Sequence, residues 1–211
     1  MLELVFVIVV IGIISAMVIP RMDRDSIFEA ANQVVKHIKY TQHLAMTEDV
    51  YDADTPTWWR RRWEIQLYRC GGYAIHSDAD LNNSPTAAQN EAAFDPESKN
   101  KRIFVTGTCV SNFVGTVLSP GGDYDRANLA AEYDISPATG GGLAFAGCGA
   151  GLSAQISFDN LGRPYSSNGI NALLQTPCNI VLTDGSANTV TVQIQPETGY
   201  ACILNAGGNC I

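Results

Sequence analysis

The sequence has little basic charge and few of the residues that enzymes most often use. It contains 13 Lys and Arg against 21 Asp and Glu, for a net charge of -8, and only three His. This balance disfavours general nucleic-acid binding, which depends on Lys and Arg side chains that neutralise phosphates. The G-x-S-x-G, H-E-x-x-H, Walker and Rossmann motifs are all absent. The chain is therefore expected to be neither an enzyme nor a cofactor-binding protein.

Cysteine motifs for metal or haem are also lacking. The sequence has six cysteines but no C-x-x-C pair and no Cys/His group. The disulfide candidates are Cys70, Cys109, Cys148, Cys178, Cys202 and Cys210. Six cysteines of this kind indicate disulfides in an oxidising compartment, with buried free thiols as the alternative. The sequence alone does not select among the complete pairings.

Charge is nearly absent from the start of the chain. Sixteen of the first 20 residues are apolar, and Glu3 is their only charged residue. As a helix, residues 4–19 would span about 24 Å, which is short of a bilayer core of about 30 Å. Extending the span to Met1 places Glu3 in the apolar region, where a carboxylate costs about 3 kcal/mol. A cleaved signal peptide is the alternative, but it needs a basic start and a small-residue cleavage site.

A second helical pattern follows Pro20, with apolar residues at spacings of three and four. These residues are Ile27, Ala31, Val34, Ile38 and Ala45. Charged residues lie between them, which predicts an amphipathic helix over 25–48. Residues 1–47 are therefore expected to form one helix about 70 Å long, weakened or kinked near Gly12 and Pro20. His37 and His43 are six residues apart on this helix and are expected at its surface.

The rest of the chain predicts an antiparallel sheet, so the fold class is α+β. Residues 63–67 alternate apolar and polar, and a Cys-Gly-Gly turn leads into 73–75, which predicts a hairpin. Further strands are predicted at 103–105, 154–158, 180–182 and 190–194. Turns are expected at 184–185 and 196–199. Residues 78–101 form a polar insertion, and residues 107–169 are rich in glycine.

The start of the chain resembles type IV pilins and type II secretion pseudopilins. Mature chains of that family begin with an apolar helix that holds a glutamate, a glycine nine residues later and a proline eight beyond it. Glu3, Gly12 and Pro20 reproduce both intervals. Compared with the family, this sequence starts two residues late. The first two residues of the mature chain, usually Phe-Thr, and the basic leader before them are expected to precede Met1.

The resemblance implies a pilin fold, in which a long helix packs on an antiparallel sheet domain with Gly-rich loops and disulfides. It divides the chain into an apolar half-helix at 1–24, an amphipathic half-helix at 25–48 and a head domain at 49–211. Prepilin peptidase and an inner-membrane assembly machine would act on the chain, and identical subunits would polymerise through their helices. Glu3 would pair with the N-terminal amine of a neighbouring subunit. The C-terminal loop of pilins is commonly closed by a disulfide, which favours the pair Cys202 and Cys210.

Three segments and a hairpin narrow the resemblance to the H-type minor pseudopilins. The segments are the helical residues 30–48, residues 156–164 with the sequence Ile-Ser-Phe-Asp-Asn-Leu-Gly-Arg-Pro, and residues 196–200 with the sequence Pro-Glu-Thr-Gly-Tyr, and the hairpin lies between the last two. The leading expectation is a main subunit of a pilus-like filament outside the cell, and the runner-up is a minor pseudopilin of a periplasm-spanning pseudopilus. A membrane-anchored extracytoplasmic protein that binds DNA or another ligand is the alternative from a different class.

Asp78, Asp80 and Asn82 alternate in the way that calcium-binding loops place their oxygen ligands. The segment lacks the glycine at the sixth position and the glutamate at the twelfth that the EF-hand loop has. A plain solvated loop is the favoured interpretation, with calcium as the alternative.

The densest local group of aromatic and basic residues consists of Trp58, Trp59, Arg60, Arg61 and Arg62. Arginine beside tryptophan can form cation-π contacts or stack on bases. In an acidic chain, contact with an acidic neighbouring subunit is favoured over binding to DNA.

Overall fold

The computed structural model describes residues 3, 5, 7–12, 26–83, 91–97, 101–107, 118–120, 127–148, 151–166 and 172–211. These residues form an α+β structure in which all paired strands are antiparallel. The predicted fold class is confirmed at that level. Residues 7–12 are helical, but Pro20 lies outside the described residues, so the continuous helix over 1–47 stays a prediction.

The amphipathic helix predicted over 25–48 is present as α1, Ser26–Thr47. The five apolar residues that define its pattern are all buried, and Ile38 is fully inaccessible. Helix α1 packs against both large sheets and against a short helix, α2, Leu129–Tyr133. Apolar burial on one face therefore positions the helix against the sheets.

Eleven strands are present among the described residues. They are β1 (Glu64–Tyr68), β2 (Gly72–His76), β3 (Val105–Gly107), β4 (Leu118–Pro120), β5 (Gly142–Ala146), β6 (Ser153–Phe158), β7 (Pro164–Ser166), β8 (Ala172–Leu173), β9 (Cys178–Thr183), β10 (Thr189–Ile194) and β11 (Ala201–Leu204). One sheet has the order β2-β1-β6-β7-β8 and a second has the order β11-β10-β9-β5. Strands β3 and β4 form a separate pair.

The hairpin and the C-terminal strands follow the predicted pattern. β1 pairs with β2, and Ile65 lies opposite Ile75 in that register. In β9 and β10 the inward residues alternate, and Ile180 lies opposite Val192 with both side chains buried. Side chains two residues apart face the same side of a strand, so this alternation builds the core.

Three details differ from the sequence prediction. The strand expected at 103–105 lies at Val105–Gly107 instead. Before it, Phe104 makes only an isolated bridge to Ala74, although Ile103 is fully buried. Strand β5 and helix α2 form within the stretch expected to be mainly loop, and Asn128 caps α2 by accepting a hydrogen bond from the Ala131 amide at 3.3 Å.

The disulfide prediction is confirmed for the described cysteines. Cys148 is bonded to Cys178, and Cys202 is bonded to Cys210 as predicted. Cys70 is also disulfide-bonded, whereas Cys109 lies outside the described residues. Among the described cysteines none is free, so the buried-thiol alternative is wrong for them.

Gln42 connects the two turns that flank the C-terminal end of α1. Its side-chain amide donates to the carbonyl of Gly162 at 2.8 Å and to that of Thr198 at 2.9 Å. Gly199 has a φ of +67°, and a Cβ there would lie 2.7 Å from the Gln42 amide nitrogen. Glycine is therefore required at Gly199 both for its backbone conformation and for the approach of α1.

Candidate functional site

The N-terminal helical residues are exposed on every side. Val5 and the apolar residues of 7–11 are between 38% and 61% exposed. Consecutive helical residues are separated by about 100°, so six of them surround the axis completely. A helix that is apolar all round is stable when lipid or other protein covers it. These residues therefore form a surface that the rest of the described chain does not cover.

Glu3 and Gly12 are both helical and exposed. A Cβ at Gly12 would meet nothing within 4 Å, so the described chain alone places no steric demand on this glycine. Among the described residues, no helix combines the length and the apolar character needed to cross a membrane.

The aromatic and basic segment begins as a short 3-10 helix, Trp58–Arg61, and leads into β1. Its arginines have acidic or aromatic partners within the chain. Arg60 lies 2.8 Å from an Asp78 oxygen, and Arg61 lies 3.8 Å from an Asp52 oxygen. Contact between these arginines and a neighbouring subunit stays a prediction, and it would have to compete with these internal pairs.

Arg62 is buried between two aromatic rings. Its guanidinium carbon lies 4.7 Å from the Trp58 ring centroid and 4.2 Å from that of Tyr165. Burial lowers the pKa of Arg62, while Tyr165 and Asp159 oppose that shift. These cation-π contacts fix the position of Trp58 at the surface.

Trp58 forms part of a cleft of about 310 Å³ beside the C-terminal end of α1. The cleft also includes Tyr51, whose ring meets that of Trp58 edge-on at 5.0 Å between centroids. Trp63 lies on another side, and its indole nitrogen donates to Glu48 at 2.5 Å. Aromatic residues thus contribute much of the cleft wall.

Asp159 organises the turn at the other side of the cleft. Its carboxylate accepts hydrogen bonds from the Leu161 amide at 3.0 Å and from the Arg163 amide at 2.8 Å. It also accepts one from Arg163 Nε at 2.7 Å. Burial raises the pKa of Asp159, but these hydrogen bonds outweigh burial and hold the pKa below its ordinary value. The turn is therefore rigidly hydrogen-bonded where it lines the cleft.

Three carboxylates lie close together after β2. Asp78, Asp80 and Glu91 each place an oxygen within 4.8 Å of the others. Glu91 was not among the sequence candidates; the backbone brings it here because the Ser77 amide donates to the Glu91 carbonyl at 2.9 Å. Asn82 instead donates its side-chain amide to Asp80 at 2.7 Å. Hard oxygen ligands suit calcium, but Arg60 already supplies positive charge to Asp78.

His76 is buried next to this acidic group. Its Nδ1 lies 3.4 Å from a Glu64 oxygen, and its Nε2 lies 3.3 Å from the Gln66 side-chain oxygen. Burial lowers the pKa of His76 to about 4, because the charged imidazolium is poorly solvated there. This histidine is therefore neutral at pH 7.

The surface location expected for His37 is wrong, while that of His43 is confirmed. His37 is 2% exposed, and its Nδ1 lies 2.6 Å from the Tyr73 hydroxyl. The position three residues after Val34, on the buried face, was the signal that sequence reasoning missed. The Gln33 side-chain amide also donates to the Tyr73 hydroxyl at 2.7 Å. The buried Tyr73 hydroxyl and His37 ring therefore both have hydrogen-bond partners in the core.

Comparison of the chain with protein-family models, curated proteins and solved structures finds no match.

Proposed function

We propose that the protein is a structural subunit of an extracellular type IV pilus-like filament that polymerises through its N-terminal helix. The observation that carries this proposal is the exposure of apolar helical residues on all sides, with Glu3 near their start. In a membrane those side chains would face lipid, and in a filament they would face neighbouring helices. The spacing of Glu3, Gly12 and Pro20 supports the second environment through its resemblance to pilins.

The head supports the same proposal through its architecture. Helix α1 buries one face against antiparallel sheets, as the pilin fold requires. The disulfide between Cys202 and Cys210 closes the C-terminal loop in the manner that the resemblance implies. In this proposal α1 and the sheets fold together as one unit, and the exposed N-terminal helical residues serve for assembly.

In this proposal the subunit first resides in the inner membrane, where prepilin peptidase removes a leader. An assembly machine then moves it into a homopolymer. Glu3 has a specific task, because a carboxylate among apolar helices needs a positive partner. The N-terminal amine of a neighbouring copy would supply that partner and would set the axial position of each subunit.

Substitution of Glu3 tests this function. We expect Glu3→Leu to remain in the membrane fraction but to be missing from sheared filaments. Glu132→Leu is the matched control, since Glu132 is an exposed acidic residue of α2. Electron microscopy and mass spectrometry of the sheared fraction would identify the dominant band. Normal filament incorporation of Glu3→Leu would contradict the proposal.

A minor H-type pseudopilin of type II secretion is the second candidate. It is favoured by the two turns that carry that resemblance, because both bind the same side chain, Gln42. In the same experiment a minor subunit would be a trace component rather than the dominant band.

A membrane-anchored extracytoplasmic binding protein is the candidate from another class. The cleft beside Trp58 is the observation that favours it. A protein of this class would remain with the membranes and would never sediment as filaments after shearing.

A further inference from the structure

We propose that the cleft lined by Tyr51, Trp58 and Trp63 binds a neutral saccharide. This inference goes beyond the filament proposal and does not depend on it, since none of the N-terminal apolar residues lines the cleft. It rests on three properties of the cleft, namely its aromatic walls, its mixed hydrogen-bonding groups and its low net charge.

The aromatic walls suit the apolar face of a sugar ring. Tyr51 is 65% exposed, and Trp58 and Trp63 are partly exposed. The faces of aromatic rings carry partial negative charge, and the C–H groups of a pyranose carry partial positive charge. Because Arg62 packs against Trp58 from within the head, this wall is formed before any ligand arrives.

The polar groups around the aromatic residues suit hydroxyl groups. Sugar hydroxyls both donate and accept hydrogen bonds, so a matching site needs donors and acceptors together. Glu48 and Asp49 supply exposed carboxylates, and Asn160 supplies an exposed amide that both donates and accepts. Arg163 uses its Nε for Asp159, and its side chain remains 44% exposed at the cleft.

The charge of the cleft disfavours an anionic ligand. Three carboxylates and two guanidinium groups line it, so its formal charge is small and slightly negative. Asp159 and Arg163 also pair directly, which removes one charge of each sign from the field that a ligand meets. A phosphate or sulfate would meet the exposed carboxylates of Glu48 and Asp49, whereas Arg62 is buried behind Trp58.

The dimensions agree with a small saccharide. The volume of about 310 Å³ lies at the lower end of the usual range for small-molecule sites, about 300 to 1,000 Å³. A monosaccharide or disaccharide fits that volume, whereas a longer chain would extend out of it.

A glycan array probed with the full chain tests the proposal and identifies a saccharide for titration. The chain should be kept in a polyoxyethylene detergent, because maltoside detergents carry a sugar themselves. Two of the three tryptophans line the cleft, so intrinsic fluorescence reports on binding. We expect a neutral mono- or disaccharide to shift this fluorescence in a saturable way.

Tyr51→Ala and Asn160→Ala remove exposed groups of the cleft and should leave the fold intact. Each should weaken saccharide binding about tenfold, as expected for the loss of one good contact. Tyr200→Ala is the matched control, because Tyr200 is 52% exposed and lies outside the cleft. Absence of any bound saccharide, unchanged binding by both cleft variants, or binding only of sulfated or ammonium compounds would overturn the proposal.

Discussion

Two helical regions of this chain contain the same kinds of apolar residue in opposite environments. Ile8 in the N-terminal region is 61% exposed, whereas Ile38 in α1 is fully buried. In α1 polar residues separate the apolar ones, so one face meets the sheets and the other meets water. Residues 7–11 are all apolar, which leaves no face for water. Helix α1 and the sheets therefore complete one core, whereas the described chain leaves its N-terminal apolar residues uncovered.

Matched truncations of two isoleucines give the strongest test of this comparison. We expect Ile38→Ala to lower the free energy of unfolding of the chain by about 2 to 5 kcal/mol, because it leaves a cavity in the core between α1 and the sheets. Ile8→Ala should change that free energy by less than about 0.5 kcal/mol, because Ile8 is exposed, while it lowers filament yield. Denaturant unfolding of the full chain in detergent, followed by circular dichroism, measures both effects. Equal destabilisation by the two variants would break the comparison.

Removal of each disulfide tests how much that cross-link contributes to the stability of the head. Cys148 and Cys178 are 30 residues apart, whereas Cys202 and Cys210 are 8 apart. The longer loop costs more entropy to close, so replacing both cysteines by serine should cost about 3.5 kcal/mol for the first pair and about 2.5 kcal/mol for the second. Thermal unfolding of the two double variants beside the unmodified chain measures the order. The opposite order would show that packing, not loop closure, determines these contributions.

Local periodicity was enough to predict α1, the first hairpin and the C-terminal strands. Each depends on side chains close in sequence, such as Ile65 and Leu67 on one face of β1. The same pattern did not predict β5, where Gly142 and neighbouring glycines hide the strand. That strand forms because Phe145 and its neighbours pair with β9, more than 30 residues later along the chain.

The candidate sites were harder to predict, because distant residues complete them. Asp78 and Asp80 were recognisable from their spacing, but Glu91 joins them only through backbone pairing across the insertion. Trp58 and Arg62 were recognisable as an unusual group. Their partner Tyr165 comes from β7, about a hundred residues later, and nothing in the local sequence indicates it.

The buried His76 side chain should make the stability of the head depend on pH. Its pKa is about 4 in the fold and about 6.5 in an unfolded chain. As the pH falls from about 6.5 to about 4, the unfolded chain takes up a proton that the folded chain does not. The head should therefore lose up to about 3 kcal/mol of stability over that range.

The variant His76→Gln isolates this effect from the titration of the carboxylates. We expect its free energy of unfolding to fall less steeply with decreasing pH than that of the unmodified chain. His43→Gln is the control, since His43 is exposed and its removal should leave the steep fall unchanged. Identical pH profiles for His76→Gln and the unmodified chain would show that this buried histidine does not lower the free energy of unfolding at low pH.

Calcium is expected to have the smallest effect on stability. Its addition tests whether the fold needs a bound ion. We expect weak binding at most, with a dissociation constant no lower than about 10⁻⁴ M, because Arg60 already neutralises Asp78. Isothermal titration of the full chain with calcium chloride measures it. Asp80→Asn should abolish the heat, since Asp80 is the exposed member of the three-carboxylate group. Asp54→Asn is the control at another exposed aspartate. An unchanged melting temperature in the presence of calcium would agree with a fold stabilised by its own core and disulfides. A large rise in the melting temperature would show that the fold depends on the ion.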